Sequence, residues 1–228
     1  MSSPNPHSEF SAILFDCDGV IADSEPVVNI VVAEELTARG WPLTPDEAGA
    51  NFLGMSLPTM IPMIEAKVGP LPSDWSQTLK VRVAETMARE VTAVPGAEDV
   101  LKATRAARIP MAMASNSSRV ELEAKLTRLG FEHFFEDRVL SFEDVPRAKP
   151  DPDIYLAAAA ACSADPSECV VIEDSVMGAL AGVAAGCTVF GFAHVTDPET
   201  LLAAGARLVF SDMNELPKLL GLNPVLDT

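Results

Sequence analysis

Apolar and polar positions repeat with two different periods along this chain, and the change of period divides it. The run Ala12-Ile13-Leu14-Phe15 is continuously apolar and closes on Asp16-Cys17-Asp18-Gly19-Val20, which predicts a short buried strand leaving its sheet at a glycine turn. From Ser24 to about Val91 the pattern is helical. A first helix opens at Ser24-Glu25-Pro26 with Ser24 as its cap, carries Val27, Ile30, Val31 and Leu36, and stops towards Gly40. Thr44-Pro45-Asp46-Glu47 has the form of a capping box with proline at the first helical position, and Ser56-Leu57-Pro58 and Ser73-Asp74-Trp75 mark two more helix starts. No strand run interrupts this stretch, so residues 21–91 are expected to form an all-helical insert.

Beyond Val94-Pro95-Gly96 helix and strand alternate. Strands are predicted over 109–114, 138–140, 169–172, 187–192 and 207–210, and helices over 98–107, from Ser118 to near Gly130, from Asp151-Pro152 through the alanine run to Cys162, and over 176–185. The stretch holding Phe131, His133, Phe134 and Phe135 is expected to pack in the core. Strands separated by single helices imply parallel pairing with right-handed crossovers. The expected fold is therefore α/β, with a doubly wound, Rossmann-like sheet built from residues 1–20 and 92–228. Such a sheet binds its ligands at the carboxyl ends of its strands.

Composition narrows the partners. The 228 residues carry 16 Lys and Arg against 33 Asp and Glu, a formal charge of −17 that repels nucleic acid and anionic membrane surfaces. No apolar stretch reaches the roughly 18 residues of a membrane span. Cys17, Cys162, Cys169 and Cys187 show no CxxC spacing, as in reduced cysteines of the cytoplasm, where the protein is expected to reside. Nothing in the chain fixes an oligomeric state, and a monomer is the default expectation.

By itself Asp16-Cys17-Asp18-Gly19 admits a metal site, a covalent nucleophile with an acid/base partner, or a capped turn, and the capped turn is the simplest. A calcium loop fits poorly, because Val20 and Ile21 stand where a third oxygen ligand and a glycine belong. A nucleophilic Cys17 thiol also fits poorly, since flanking carboxylates raise its pKa. The other predicted strand ends change the balance: one presents Ser115-Asn116-Ser117, the next leads to Lys149-Pro150, and another ends in Glu173-Asp174-Ser175. Each has an ordinary reading as a helix cap or a solvated loop residue. Gathered in one cleft they suit phosphoryl transfer: Asp16 attacks phosphorus, Asp16 and Asp174 share a magnesium ion, and Lys149 offsets charge. Ser115 and nearby helix amides bind the phosphoryl group, and Asp18 moves protons.

Asp16-Cys17-Asp18-Gly19-Val20, Ser115-Asn116, Lys149-Pro150-Asp151-Pro152 and Glu173-Asp174-Ser175 with Gly178 resemble the four motifs of the haloacid dehalogenase-like hydrolase superfamily, over residues 10–212. The resemblance implies Asp16 as nucleophile, Asp18 as general acid/base, and Ser115, Asn116 and Lys149 around the phosphate. It also implies Mg²⁺ held by Asp16, Asp174 and the Asp18 main-chain carbonyl, with Glu173 in support. The helical insert is similar to the cap of the subfamily with an alpha-helical cap, in which the loop from Asn51 to Ser56 faces the nucleophile, so Gly54 and Ser56 are expected near the substrate. The implied substrates are small phosphorylated metabolites such as sugar, sugar-acid or polyol phosphates. A beta-phosphoglucomutase-like activity is the alternative, but it calls for a second phosphate clamp. Lys67, Lys80, Arg82 and Arg89 are dispersed over the insert and do not form an obvious one. A silent metabolite-binding protein is the alternative of another class; it predicts loss of Asp16, Asp18, Lys149 or Asp174, and all four are present.

Overall fold

The computed structural model of the chain describes residues 9–52, 55 and 57–222; Gly54 and Ser56 lie outside the described residues. Strand β1 (Ala12–Phe15) is buried along its whole length, as its unbroken apolar run predicts. A two-residue strand β2 (Ala22–Asp23) follows, and then the helices α1 (Glu25–Ala38), α2 (Pro45–Phe52), α3 (Leu57–Val68) and α4 (Trp75–Glu90). Strand β3 (Thr92–Ala93) returns antiparallel to β2. This small ribbon was not legible in the apolar pattern, because two residues are too few to show a period.

The chain then alternates: α5 (Ala97–Ala106), β4 (Met111–Ser115), α6 (Arg119–Leu129), α7 (Glu132–Phe135), β5 (Val139–Ser141), α8 (Asp153–Ala161) and β6 (Cys169–Glu173). It continues with α9 (Val176–Ala184), β7 (Thr188–Phe192), α10 (Pro198–Ala203), β8 (Leu208–Phe210) and α11 (Leu216–Leu219). The main sheet has the order β5-β4-β1-β6-β7-β8, and every pair in it is parallel. The Rossmann-like α/β architecture is therefore as expected. The short helices α7, α10 and α11 are additions; the aromatic stretch expected as core folds as α7 and does bury Phe134 and Phe135.

Alternate residues of the buried strands feed two cores. Ile13, Phe15, Met111, Met113, Val170 and Ile172 join a cluster that also takes in Val31, Leu36, Leu79 and Met87 of the helical insert, so one apolar body spans both parts. Leu14, Ala112, Ala114 and Val171 face the opposite layer, with Ile154, Tyr155 and Ala158 of α8 and Ala179 of α9. Both faces are covered, which is why these strands read as apolar runs and not as alternation.

Local signals are mostly obeyed. Thr44 and Glu47 form the predicted capping box, with the Thr44 amide donating to Glu47 Oε2 at 2.8 Å and the Glu47 amide to Thr44 Oγ1 at 3.2 Å. Ser118 and Glu121 form the second, opening α6, which stops at Gly130 in the left-handed conformation (φ 71°). Ser24 departs from its predicted role: it precedes α1, but its hydroxyl accepts no amide and donates instead to Asp18 Oδ1. No helix among the described residues is long and apolar enough to cross a membrane.

Candidate active site

The parallel sheet places the four motifs together because β4, β1 and β6 are neighbours and their carboxyl ends share one edge. Asp16 follows β1, Ser115 closes β4, Glu173 closes β6, and Asp174 comes next. Lys149 arrives from the loop between β5 and α8, and its Nζ donates to Asp16 Oδ1 at 2.6 Å, Glu173 Oε1 at 2.6 Å and the Ala114 carbonyl at 2.8 Å. The ammonium is thus saturated and almost wholly buried. Asn116 exchanges two hydrogen bonds with the Lys149 main chain, donating to its carbonyl at 3.2 Å and accepting from its amide at 3.0 Å. The Asn116 side chain therefore holds the lysine loop in place.

Three carboxylates crowd this one cation. Ligand oxygens of Asp16, Glu173 and Asp174 lie within 4.8 Å of one another, all three residues being buried. Burial raises the Asp16 carboxyl; Lys149 pulls it down, the charges of Glu173 and Asp18 push it up, and the balance is a pKa of about 7. Burial, followed by the charges of Glu173 and Asp16, lifts Asp174 well above the usual carboxylate range. A divalent cation would remove that penalty, and oxygen donors suit magnesium. The donors are unequally available. Glu173 Oε1 accepts from Lys149 and from Tyr155 OH at 2.7 Å, and its Oε2 accepts from the Ser175 amide at 3.1 Å and hydroxyl at 2.9 Å. Asp174, in contrast, receives no hydrogen bond among the described residues, and Asp16 receives only that of Lys149 on Oδ1. The open oxygens therefore belong to Asp16 and Asp174.

Two glycines make this packing possible. A Cβ on Gly178, in the first turn of α9, would lie 1.6 Å from Glu173 Oε1. The small residues of α9 thus let the helix start press on the Glu173 carboxylate, as the glycine-and-alanine pattern there suggests. Gly19 takes a left-handed conformation (φ 75°), and a Cβ on it would lie 1.9 Å from Asp174 Oδ2.

Asp18, two residues from Asp16, has a different environment. Its Oδ1 accepts from Lys125 Nζ at 2.5 Å and from Ser24, and its Oδ2 accepts from Ser117 Oγ at 2.7 Å and Ser115 Oγ at 3.1 Å. Burial pushes its carboxyl up, but the Lys125 charge and the surrounding donors outweigh burial and lower the pKa to about 2. Ser115 Oγ also accepts from the Ser117 amide at 3.0 Å, so Ser115 faces the Asp18 side of the site.

Sequence reasoning missed Lys125, Ser117 as an Asp18 partner, and Tyr155. The signal for Lys125 was present: the buried positions of α6 are Leu122, Lys125 and Leu126, so a lysine occupies the helix's apolar stripe. Tyr155 carried no such mark, because α8 is apolar along most of its length.

Comparison with known proteins gives the chain a family. A model of the haloacid dehalogenase-like hydrolase family matches residues 10–186. The chain is 30% identical over 215 residues to the 6-phosphogluconate phosphatase of Escherichia coli, covering 93% of this chain and 95% of that one. It is 31% identical over 205 residues to a phosphorylated carbohydrates phosphatase of Thermotoga maritima, covering 86% of this chain and 91% of that protein. A crystal structure of a HAD family hydrolase from Deinococcus radiodurans, with bound phosphate and sodium, matches with a TM-score of 0.79 at 34% identity, over 96% of this chain and 100% of that one.

Proposed function

The chain belongs to the haloacid dehalogenase-like hydrolases and is a phosphoric monoester hydrolase, and from that premise we propose that it cleaves a small sugar, sugar-acid or polyol phosphate with magnesium, through an aspartyl-phosphate on Asp16. The observation that carries this reading is the position of Asp16: one carboxylate oxygen is tethered to Lys149 at 2.6 Å, and the other is left without a protein donor among the described residues. The tether aims the carboxylate and partly neutralises it, and the second oxygen is available to attack.

In the first step an Asp16 oxygen bonds to phosphorus as the ester phosphorus–oxygen bond breaks, and Asp18, a carboxylate at rest, passes to the departing sugar oxygen a proton that it takes from the incoming phosphate monoanion. In the second step water attacks the phosphorus, Asp18 takes the water's proton, and the phosphorus bond to Asp16 breaks to regenerate the carboxylate. Lys149 bears on the charge of Asp16 throughout, while Ser115 and Asn116 receive phosphoryl oxygens; the amides of Ser117, Ser118 and Arg119 are already taken by Ser115, Glu121 and Glu143. Asp16, Asp174 and the Asp18 main-chain carbonyl would hold Mg²⁺, with Glu173 holding Lys149 and supporting the ion indirectly. When bound, the ion supplies positive charge that offsets repulsion between two anionic reactants.

The names of the relatives support the carbohydrate class. Engagement of the insert's cations weighs against the mutase reading. Arg82 pairs with Glu35 at 2.5 Å and Glu34 at 3.2 Å, Lys67 lies over Trp41, and Arg89 donates to Thr86, so none is held ready as a second phosphate clamp. Four buried free cysteines support a cytoplasmic setting. The test is a phosphate-release screen over sugar, sugar-acid, polyol and nucleoside phosphates, with and without Mg²⁺. Asp16→Asn should lose activity by roughly 10³-fold or more. Full activity in that variant, or equal rates after chelation, would overturn the reading.

A further inference from the structure

Among the described residues, Lys125 is the one fully buried cation that the steps above leave without a task. It stands in the apolar stripe of α6 between Leu122 and Leu126, its side chain is 2% exposed, and its Nζ donates to Asp18 Oδ1 at 2.5 Å and Ser117 Oγ at 2.7 Å. Burying an ammonium costs stability that a methionine of similar length would not, so packing gives no reason for it. Ser117 could be satisfied by a neutral partner, whereas the contact with Asp18 is ionic. That contact points to function.

Asp16 and Asp18 are one residue apart in the bend just beyond β1, and each has its own lysine. Lys149 reaches Asp16 and Glu173, Lys125 reaches Asp18, and neither ammonium touches the other's aspartate. We infer that Lys125 is a positioning residue for the phosphatase reaction: it draws the Asp18 carboxylate against α6, which keeps Asp18 from competing with Asp16 for Lys149 and sets it within reach of the leaving oxygen. The inference rests on the role proposed above for Asp18. It also accounts for the full set of donors on that carboxylate: Ser24, Ser115 and Ser117 each supply one hydrogen bond, and Lys125 alone supplies charge.

Removing Lys125 leaves Lys149 as the nearest cation for two aspartates. Asp18 then swings towards it, and the nucleophile loses its aim. Lys125 itself touches none of the phosphate-binding groups, so kcat should suffer more than KM. The experiment compares Lys125→Met, Asp18→Asn and the double variant on the best sugar phosphate, and on p-nitrophenyl phosphate, whose leaving group departs without a proton donor and keeps the weak variants measurable. Lys125→Met should lower kcat at least fivefold with KM changed less than threefold. In the Asp18→Asn background the same substitution should change kcat less than twofold, because Asn has no charge to misplace. A smaller loss in the single variant, a loss carried mainly by KM, or full multiplication of the two losses in the double variant would overturn the assignment. Thermal melts confirm folding; should Lys125→Met not fold, Lys125→Gln, neutral and able to bond Ser117, takes its place under the same criteria. The two readings fail separately: an active Asp18→Asn removes the acid/base role of Asp18, whereas an inactive Asp18→Asn beside an unimpaired Lys125→Met removes only the role of Lys125.

Discussion

The two sides of the Asp16-Cys17-Asp18 loop hold the same functional group in opposite electrostatic states. On the Asp16 side three buried carboxylates share one ammonium, and Asp16 sits near pKa 7. On the Asp18 side one carboxylate, about a third exposed (32%), has an ammonium to itself and three hydroxyls besides, and sits near 2. Burial acts upward on both; the ratio of anions to cations decides the sign. The first side is short of positive charge, which is what the proposed metal ion and phosphoryl group would supply. The second is balanced and is built to hold a carboxylate still.

The sharpest way to break that contrast is to remove each lysine in turn. Lys149→Met leaves Asp16 and Glu173 buried with no counter-charge and should destabilise the metal-free protein by about 3–5 kcal/mol, whereas Lys125→Met, which leaves a partly solvated Asp18, should cost roughly 1–2 kcal/mol. Urea unfolding measures both, and equal losses would show that the two sides do not differ as described.

Gly178→Ala should act on the Asp16 side alone. The new methyl would meet a Glu173 carboxylate pinned by Lys149, Tyr155 and Ser175, so the carboxylate must give up bonds to make room. The expected cost is about 1–3 kcal/mol with a fall in kcat. A variant with wild-type melting temperature and rate would mean that Glu173 is not held as tightly as its bonds indicate.

The smallest effect is one of pH. Asp16 ionises at about 7 in the fold against an ordinary 3.8, so between those values the native state binds the extra proton and stability falls as pH rises; Asp174 acts in the same direction. Asp18, lowered to about 2, contributes in the opposite sense: its stabilisation is present above about 3.8 and disappears as pH falls towards 2. Mg²⁺ should therefore raise Tm more at pH 8 than at pH 5.5, by roughly 2–4 °C, the equivalent of about 1 kcal/mol in a chain of this length. Equal Tm shifts at the two pH values would contradict the raised carboxyls.

Much of the fold was legible because its strands are buried on both faces and its helices carry ordinary start and stop signals. Ala12–Phe15, Met111–Ser115 and Cys169–Glu173 announce themselves as apolar runs ending in polar clusters, and Thr44, Ser118 and Gly130 mark helix ends where the structure has them. What escaped was short or diverted. The ribbon of β2 and β3 and the one-turn helix α7 offer too few residues for a period to show. Ser24 looked like a plain helix cap, but a carboxylate 6 positions earlier takes its hydroxyl.

The site divides in the same way. Asp16, Asp18, Ser115, Lys149, Glu173 and Asp174 could be named from the chain, because a parallel sheet must bring strand ends to one edge and the residues, ordinary one by one, together suit one chemistry. Membership of one cleft follows from topology, and topology from the apolar pattern. Which lysine serves which aspartate does not follow from either. Lys125 lies 107 positions from Asp18 and Lys149 133 from Asp16, and only the packing of α6 and of the loop before α8 against the sheet distributes the two ammonium groups. The order of residues specifies the set of charged groups and packing specifies their pairing, because electrostatic energy depends on separations of a few ångströms that exist only in the folded chain.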